Sequence, residues 1–150
     1  MKKFLPLLAF VLAMDAQACS LSRSTPNTEI AKLLRENGWG ATKFQTVCEK
    51  VNRANAELLV DGNATVLAGA SIGWAIVMLK DKNSNITTSD YASSSTYVNT
   101  KNIGMNVASN LLYSALNDAV DAYDVDAAIG SLDEARSKTR AALAPKASKK

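Results

Sequence analysis

The spacing of the apolar residues changes twice along this 150-residue chain, and this change limits the fold more than any other feature. Up to residue 56 apolar residues recur every three or four positions, as on one face of a helix. They then run in short strand-like stretches as far as residue 98, and helical spacing returns at about residue 103. Helices on both sides of a run of strands predict an α+β layer fold. We expect two N-terminal helices, a three- to four-stranded antiparallel β-meander and two C-terminal helices.

The ends of the first two helices carry local signals. Asn27 can cap a helix over residues 28–37, which Gly38 ends. Thr42 begins a capping-box pattern, because a Gln follows three positions later, and it predicts a second helix over residues 43–56.

The middle of the chain predicts strands. Asp61-Gly62 is a strong signal for a two-residue hairpin turn. Residues 72–79 are apolar or Gly at every position, which is typical of a central strand covered on both faces or by a partner. Trp74 lies in this stretch and is expected in the core. A single buried helix over residues 64–79 is the alternative, which the glycines and β-branched residues disfavour.

Residues 86–98 are rich in Ser, Thr and Tyr and predict a solvated edge strand or a long mobile loop. On a strand, alternate residues share a face. Tyr and Ser are common on protein-recognition surfaces, and an edge strand can accept a strand from a partner. The alternative is a polar edge that prevents aggregation. We take Trp39, between two glycines at a bend, either as a lid on the core or as an exposed anchor. The candidate partner-binding residues are therefore Tyr91, Ser93, Ser95, Tyr97 and Trp39.

The first 18 residues have the order of a bacterial export signal. Two lysines precede the apolar run of residues 4–14, which is too short to span a membrane. Ala16 and Ala18 then occupy the positions that a signal peptidase reads. We expect residues 1–18 to be a signal peptide and the mature protein to be periplasmic.

Cleavage after Ala18 leaves Cys19 first, and this cysteine has two possible fates. It can form a disulfide with Cys48, since export places both in an oxidising compartment. Alternatively it is acylated and anchors an outer-membrane lipoprotein, although Ala16 stands where Leu is usual. We favour the disulfide, and we expect a membrane contact only if Cys19 is acylated.

Composition excludes several function classes. The sequence has no His, so it cannot build a Ser-His-Asp or Cys-His triad or an imidazole metal site. A net charge of +3 is too small for a dedicated nucleic-acid binder. The most conspicuous acidic group falls at helical spacings and resembles a solvated face more than a calcium loop, with Asp124 as the N-cap of the final helix. Its members are Asp118, Asp121, Asp124, Asp126, Asp133 and Glu134.

These features predict an extended lead-in over residues 19–27, one α+β domain over residues 28–143 and a flexible basic tail over residues 144–150. We expect no cofactor, no metal and no catalysis. The function that fits best is non-enzymatic binding of another protein of the bacterial envelope. An inhibitor or immunity protein fits, as does an accessory subunit of a secretion, conjugation or pilus system. The alternative is a lipid-anchored structural component of the envelope.

Overall fold

The computed structural model describes residues 27–143, so the predicted signal peptide, nearly all of the lead-in and the basic tail lie outside the described residues. The described chain has four helices and one three-stranded sheet, which confirms the predicted α+β fold with a helix pair on each side of the strands. The elements are α1 (Thr28–Asn37), α2 (Phe44–Arg53), β1 (Ala56–Leu67), β2 (Ala70–Asp81), β3 (Thr87–Asn99), α3 (Met105–Asp121) and α4 (Val125–Leu143).

The sheet is antiparallel in the order β1-β2-β3, and the predicted turn at Asp61-Gly62 is wrong. β1 continues through both residues, and Gly62 pairs with Ala75 of β2. The chain turns instead at Ala68 and Gly69, which both have positive φ, 49° and 78°. A two-residue hairpin turn of this kind matches the twist of the two strands.

Gly62 is used for packing and not for turning. A Cβ atom placed on Gly62 would lie 2.9 Å from Leu112 Cδ1, and one on Gly73 would lie 2.1 Å from the backbone nitrogen of Leu112. Real Cβ contacts are not this short, so both positions need Gly for α3 to lie this close to the sheet.

The core lies between α3 and one face of the sheet, which we call the inner face. The alternating burial along β1 and β2 puts every buried residue of these strands on that face. α1, α2 and α4 complete the helical layer on the same side. The largest fully buried side chains are Leu58, Leu79, Leu112, Leu116 and Leu132.

The start of α2 is capped from a distant part of the chain, so the predicted capping box at Thr42 is wrong. The carboxylate of Asp121, at the end of α3, accepts hydrogen bonds from the backbone nitrogens of Thr42 (3.1 Å) and Lys43 (2.8 Å). The Thr42 hydroxyl also donates to Asp121, at 3.1 Å. These bonds, that from Lys43 above all, outweigh the effect of burial and lower the pKa of Asp121.

The start of α4 is capped as the sequence predicts, because Asp124 Oδ1 accepts a hydrogen bond from the backbone nitrogen of Ala127 at 3.0 Å. Further along α4, Arg136 ties the helix to the end of β2. Its Nε donates to Asp81 Oδ1 at 2.8 Å, and its Nη1 donates to the carbonyl of Ala54 at 3.0 Å.

Candidate functional site

The two faces of the sheet differ sharply. The helices cover the inner face, whereas no element among residues 27–143 packs over the other face, which we call the outer face. Trp74, at the centre of β2, points to the outer face and is 36% exposed. The prediction that Trp74 is a core residue is therefore wrong.

The outer face carries a row of large apolar side chains along β2. Because side chains alternate along a strand, the residues that flank Trp74 at spacings of two share its face. They are partly exposed to solvent. This apolar row consists of Ile72, Trp74, Ile76 and Met78.

Polar side chains flank the middle of the apolar row on both neighbouring strands. Asn63 of β1 and Thr96 of β3 pair with Trp74 on its two sides. Ile76 lies likewise between Asp61 of β1 and Ser94 of β3. The outer face is thus an apolar strip about one strand wide with polar margins.

The ends of the outer face are less uniform. Leu59 pairs with Met78 at one end, and Leu67 lies at the other end, where its side chain is 63% exposed. Val98 of β3 pairs with Ile72 and is 59% exposed. These three residues widen the apolar strip at its two ends.

The charge on the outer face lies mainly on the β1 side. Glu57 and Lys80 pair across β1 and β2 at one end, and Asp61 stands alone beside Ile76. The carboxylate of Asp61 accepts a bond from the backbone nitrogen of Gly62 at 2.8 Å. Among residues 27–143 it forms no salt bridge, so a cation from outside can approach it.

The Tyr/Ser segment forms the edge strand β3, which settles the choice between a strand and a loop. The register places Ser93, Ser95 and Tyr97 opposite Val77, Ala75 and Gly73, all three of which are inner-face positions. Their common face therefore points toward the helices.

Tyr91 lies where the pairing between β2 and β3 is irregular. Val77 pairs with Ser93 whereas Leu79 pairs with Thr88, so four residues of β3 lie opposite Met78 alone. Tyr91 is in this irregular stretch and is 46% exposed.

Tyr97 makes a contact with the helical layer. Its hydroxyl donates to Asp118 Oδ2 on α3, and this hydrogen bond raises the pKa of Tyr97. The bond fixes the ring against α3 and away from the outer face. That Tyr97 and its neighbours bind a partner stays a prediction.

Trp39 lies over the core as a lid, is partly buried, and its role in partner binding stays a prediction. Its ring stacks on that of Phe44 with centroids 4.3 Å apart, and both rings pack against the core. The structure thus does not bring Trp39 together with the β3 candidates.

The predicted disulfide cannot be judged from the fold, because Cys19 lies outside the described residues. Cys48 is buried on the core side of α2, with 2% of its surface exposed, as its position on the apolar face of that helix predicts.

The acidic group serves the fold at several positions. Asp121 and Asp124 accept bonds at helix starts, Asp126 pairs with Lys50, and Asp133 pairs with Arg136. No cluster of three potential metal ligands occurs in the part of the chain that the structure describes.

Sequence reasoning missed the outer face as a surface, although its signal was present. The pattern of residues 72–79 predicts cover on both faces or a partner, and within residues 27–143 only the inner face is covered. This apolar pattern does not indicate which of the two faces stays exposed.

Comparison with known proteins adds no relative: no family model, no curated protein and no solved structure matches this chain. Within residues 27–143 no helix is both long and apolar enough to cross a membrane.

Proposed function

We propose that this chain is an exported, non-enzymatic protein that binds another protein of the bacterial envelope through the outer face of its sheet. The observation that carries the proposal is the apolar row on β2, which has Trp74 at its centre and which nothing in residues 27–143 covers. The signal-peptide pattern of residues 1–18 supports the location. An inhibitor or immunity protein and an accessory subunit of a secretion, conjugation or pilus system both fit this proposal.

An apolar row that stays in water has a cost in free energy, and a partner that covers it removes this cost. Full burial of one large apolar side chain is worth about 1.5–3 kcal/mol. Trp74 is 36% exposed and the other side chains of the row are less exposed, so a partner would gain at most roughly a third of this for each of them. Trp is also a residue that dominates the binding energy of many protein interfaces. A row of four large apolar residues with a Trp at its centre can therefore anchor a partner.

The polar margins support a specific contact over simple aggregation. Protein interfaces have an apolar centre within a polar rim. Asn63 and Asp61 on one side, with Thr96 and Ser94 on the other, provide such a rim beside the row. These side chains also limit the width of continuous apolar surface.

Site-specific photo-crosslinking in the bacterium that produces the protein tests the proposal. A benzophenone amino acid at position 74 or 78 places the reactive group on the outer face. The same group at position 36 is the control, because Glu36 is exposed on α1. We expect one discrete protein adduct from positions 74 and 78 and none from position 36.

The folded state of each labelled variant is checked by circular dichroism after purification. If correctly folded protein gives no adduct from either outer-face position, no protein occupies that face and the proposal is wrong.

A further inference from the structure

The dimensions of the apolar row restrict what can cover it. Ile72 and Met78 are six residues apart, so the row is about 20 Å long at roughly 3.3 Å per strand residue. A helix of about 13 residues has this length. The polar rows on β1 and β3 are about 10 Å apart, because neighbouring strands are separated by roughly 4.8 Å. An α-helix is also about 10 Å across.

The polarity of the margins favours a helix over a second sheet. A flat sheet laid on the outer face would cover the β1 margin as well, including Asp61 and Asn63. Burial of an unpaired carboxylate is costly. A helix is curved, so its apolar stripe can contact the central row while polar side chains on its flanks face the two margins.

The inner face provides an example of a helix that lies along β2. There α3 packs against the sheet with β2 at its centre, and it contacts β1 and β3 on either side. Leu112 of α3 lies over Gly73, directly beside Trp74 in the sequence. A helix can therefore lie along the central strand of this sheet, although on the inner face α4 contacts β2 as well.

Charge determines which flank of the bound helix lies beside β1. Asp61 borders the row beside Ile76 and has no cationic partner among residues 27–143. The opposite margin carries the hydroxyls of Ser94 and Thr96. A helix with a Lys or Arg on one flank therefore complements the outer face, and an acidic flank in that place would be repelled.

We infer that the outer face binds an amphipathic α-helix of the partner protein, which lies along β2 with its apolar stripe on the row and a basic residue beside Asp61. This inference rests on the proposed function and specifies the partner's binding element. It identifies the chemistry of recognition as a helix face placed on an open sheet.

Two synthetic peptides test the inference. Both have about 18 residues and a Leu stripe at helical spacing, and they differ only in one flank, which carries Lys in the first and Glu in the second. Binding to the exported protein, purified from the periplasm, is measured by isothermal titration calorimetry. We expect the Lys peptide to bind about fivefold more tightly, because an exposed charge pair has a modest effect on affinity.

Charge reversal on the protein provides the matched variants. Asp61→Lys is expected to reverse the preference, so that the Glu peptide binds more tightly. Glu36→Lys makes the same change in net charge on α1 and should leave the preference for the Lys peptide unchanged. Trp74→Asp should weaken the binding of both peptides about tenfold or more, because it places a charge in the middle of the apolar row.

The failure of this inference can be told apart from that of the proposed function. If position 74 gives a protein adduct but neither peptide binds, the function stands and the helix is wrong. An adduct with twice the mass of the chain would mean that a second copy is the occupant, which also overturns the helix. If the Asp61→Lys variant binds both peptides equally, the inferred contact between Asp61 and a basic residue of the helix is wrong.

Discussion

Arg136 on α4 and Asp81 at the end of β2 form a salt bridge that is almost closed to solvent, with side-chain exposures of 15% and 7%. The remaining donors of Arg136 bond to the carbonyl oxygens of Ala54 and Asn55 and to Asp133. One side chain thus joins α4, β2 and the link between α2 and β1. Burial opposes the charge on Asp81, but hydrogen bonds from Ser84 and Arg136 outweigh it and lower the pKa of Asp81.

Removal of the guanidinium should be strongly destabilising. Arg136→Met leaves the carboxylate of Asp81 buried without its cation, and loss of one partner of a buried pair costs about 3 kcal/mol. Urea denaturation followed by circular dichroism measures the free energy of unfolding. Lys138→Met is the control, since Lys138 pairs with Glu134 on the solvent side of the same helix and is 75% exposed. Equal losses in the free energy of unfolding would show that the buried ion pair stabilises the fold no more than the exposed one.

The link between α3 and α2 predicts a dependence on pH. Asp121→Asn removes the charge that accepts the bonds from Thr42 and Lys43, and we expect a loss of about 1 kcal/mol at neutral pH, the usual value for a helix cap. The pKa of Asp121 is lowered in the folded state, so its contribution is complete well above the usual value of 3.8 and is lost as the pH falls through the lower folded value.

Urea denaturation of the wild type and the Asp121→Asn variant at a series of acidic pH values measures this difference. The two free energies should converge as the pH falls below 3.8. Glu36→Gln, on the exposed side of α1, should follow the wild type throughout. A constant gap at all pH values would contradict the assigned role of the charge.

The close approach of α3 to the sheet predicts opposite effects for two Gly substitutions. Gly73→Ala places a methyl group against the backbone of Leu112, and the helix must move, which should cost at least about 3 kcal/mol. Gly130→Ala on α4 meets no atom within 4 Å and should stabilise the protein by about 0.5–1 kcal/mol, because Ala favours a helix. Thermal melts of both variants measure this contrast. A Gly73→Ala variant as stable as the wild type would disprove the close contact.

Two tyrosine hydroxyls of the helical layer should respond in opposite ways to removal. The hydroxyl of Tyr123 is buried and makes no hydrogen bond of normal geometry to residues 27–143, and burial raises the pKa of Tyr123 to about 12. Tyr123→Phe should therefore leave the free energy of unfolding unchanged or raise it by about 0.5–1 kcal/mol. Tyr113→Phe should lower it, because the hydroxyl of Tyr113 donates to the carbonyl of Gly38 at 3.1 Å. Urea denaturation distinguishes the two, and a destabilised Tyr123→Phe variant would reveal a bond partner for that hydroxyl.

Elements whose ends are set by neighbouring residues were predictable from the sequence. Asn27 caps α1 by accepting bonds from the backbone nitrogens of Glu29 and Ile30, Gly38 ends that helix with φ 70°, and Asp124 caps α4. In each case the signal and the structure it causes lie within a few residues. The change of hydrophobic period located the strands for the same reason.

The wrong predictions all involve contacts between residues far apart in the sequence. Gly62 looked like a turn residue because nothing nearby revealed that Leu112 would pack against it. Thr42 looked like a cap because Asp121, which takes that role, lies 79 residues away. Trp74 looked like core because both faces of β2 are apolar, and only packing decides that α3 covers the face with Gly73 and other small residues.

The candidate surface was predictable only in part for a related reason. The sequence shows that residues 72–79 need cover on both faces or a partner, but it does not show that the helices of residues 27–143 cover only one face. The predicted Tyr/Ser face of β3 is correct as a strand face for Ser93, Ser95 and Tyr97. Its partner-binding role remains a prediction, since that face points toward α3.

The mature N-terminus provides the last prediction, and it tests the premise of export. We expect the native protein to begin at Cys19, with residues 1–18 removed, and to carry a disulfide between Cys19 and Cys48. Intact-mass spectrometry before and after reduction measures both, because reduction adds two hydrogen atoms to a chain with one disulfide. A Cys48→Ser variant is the control and should show no such change. A diacylglycerol mass on Cys19 would establish the lipoprotein instead, and a chain that still begins at Met1 would contradict export and with it the envelope partner.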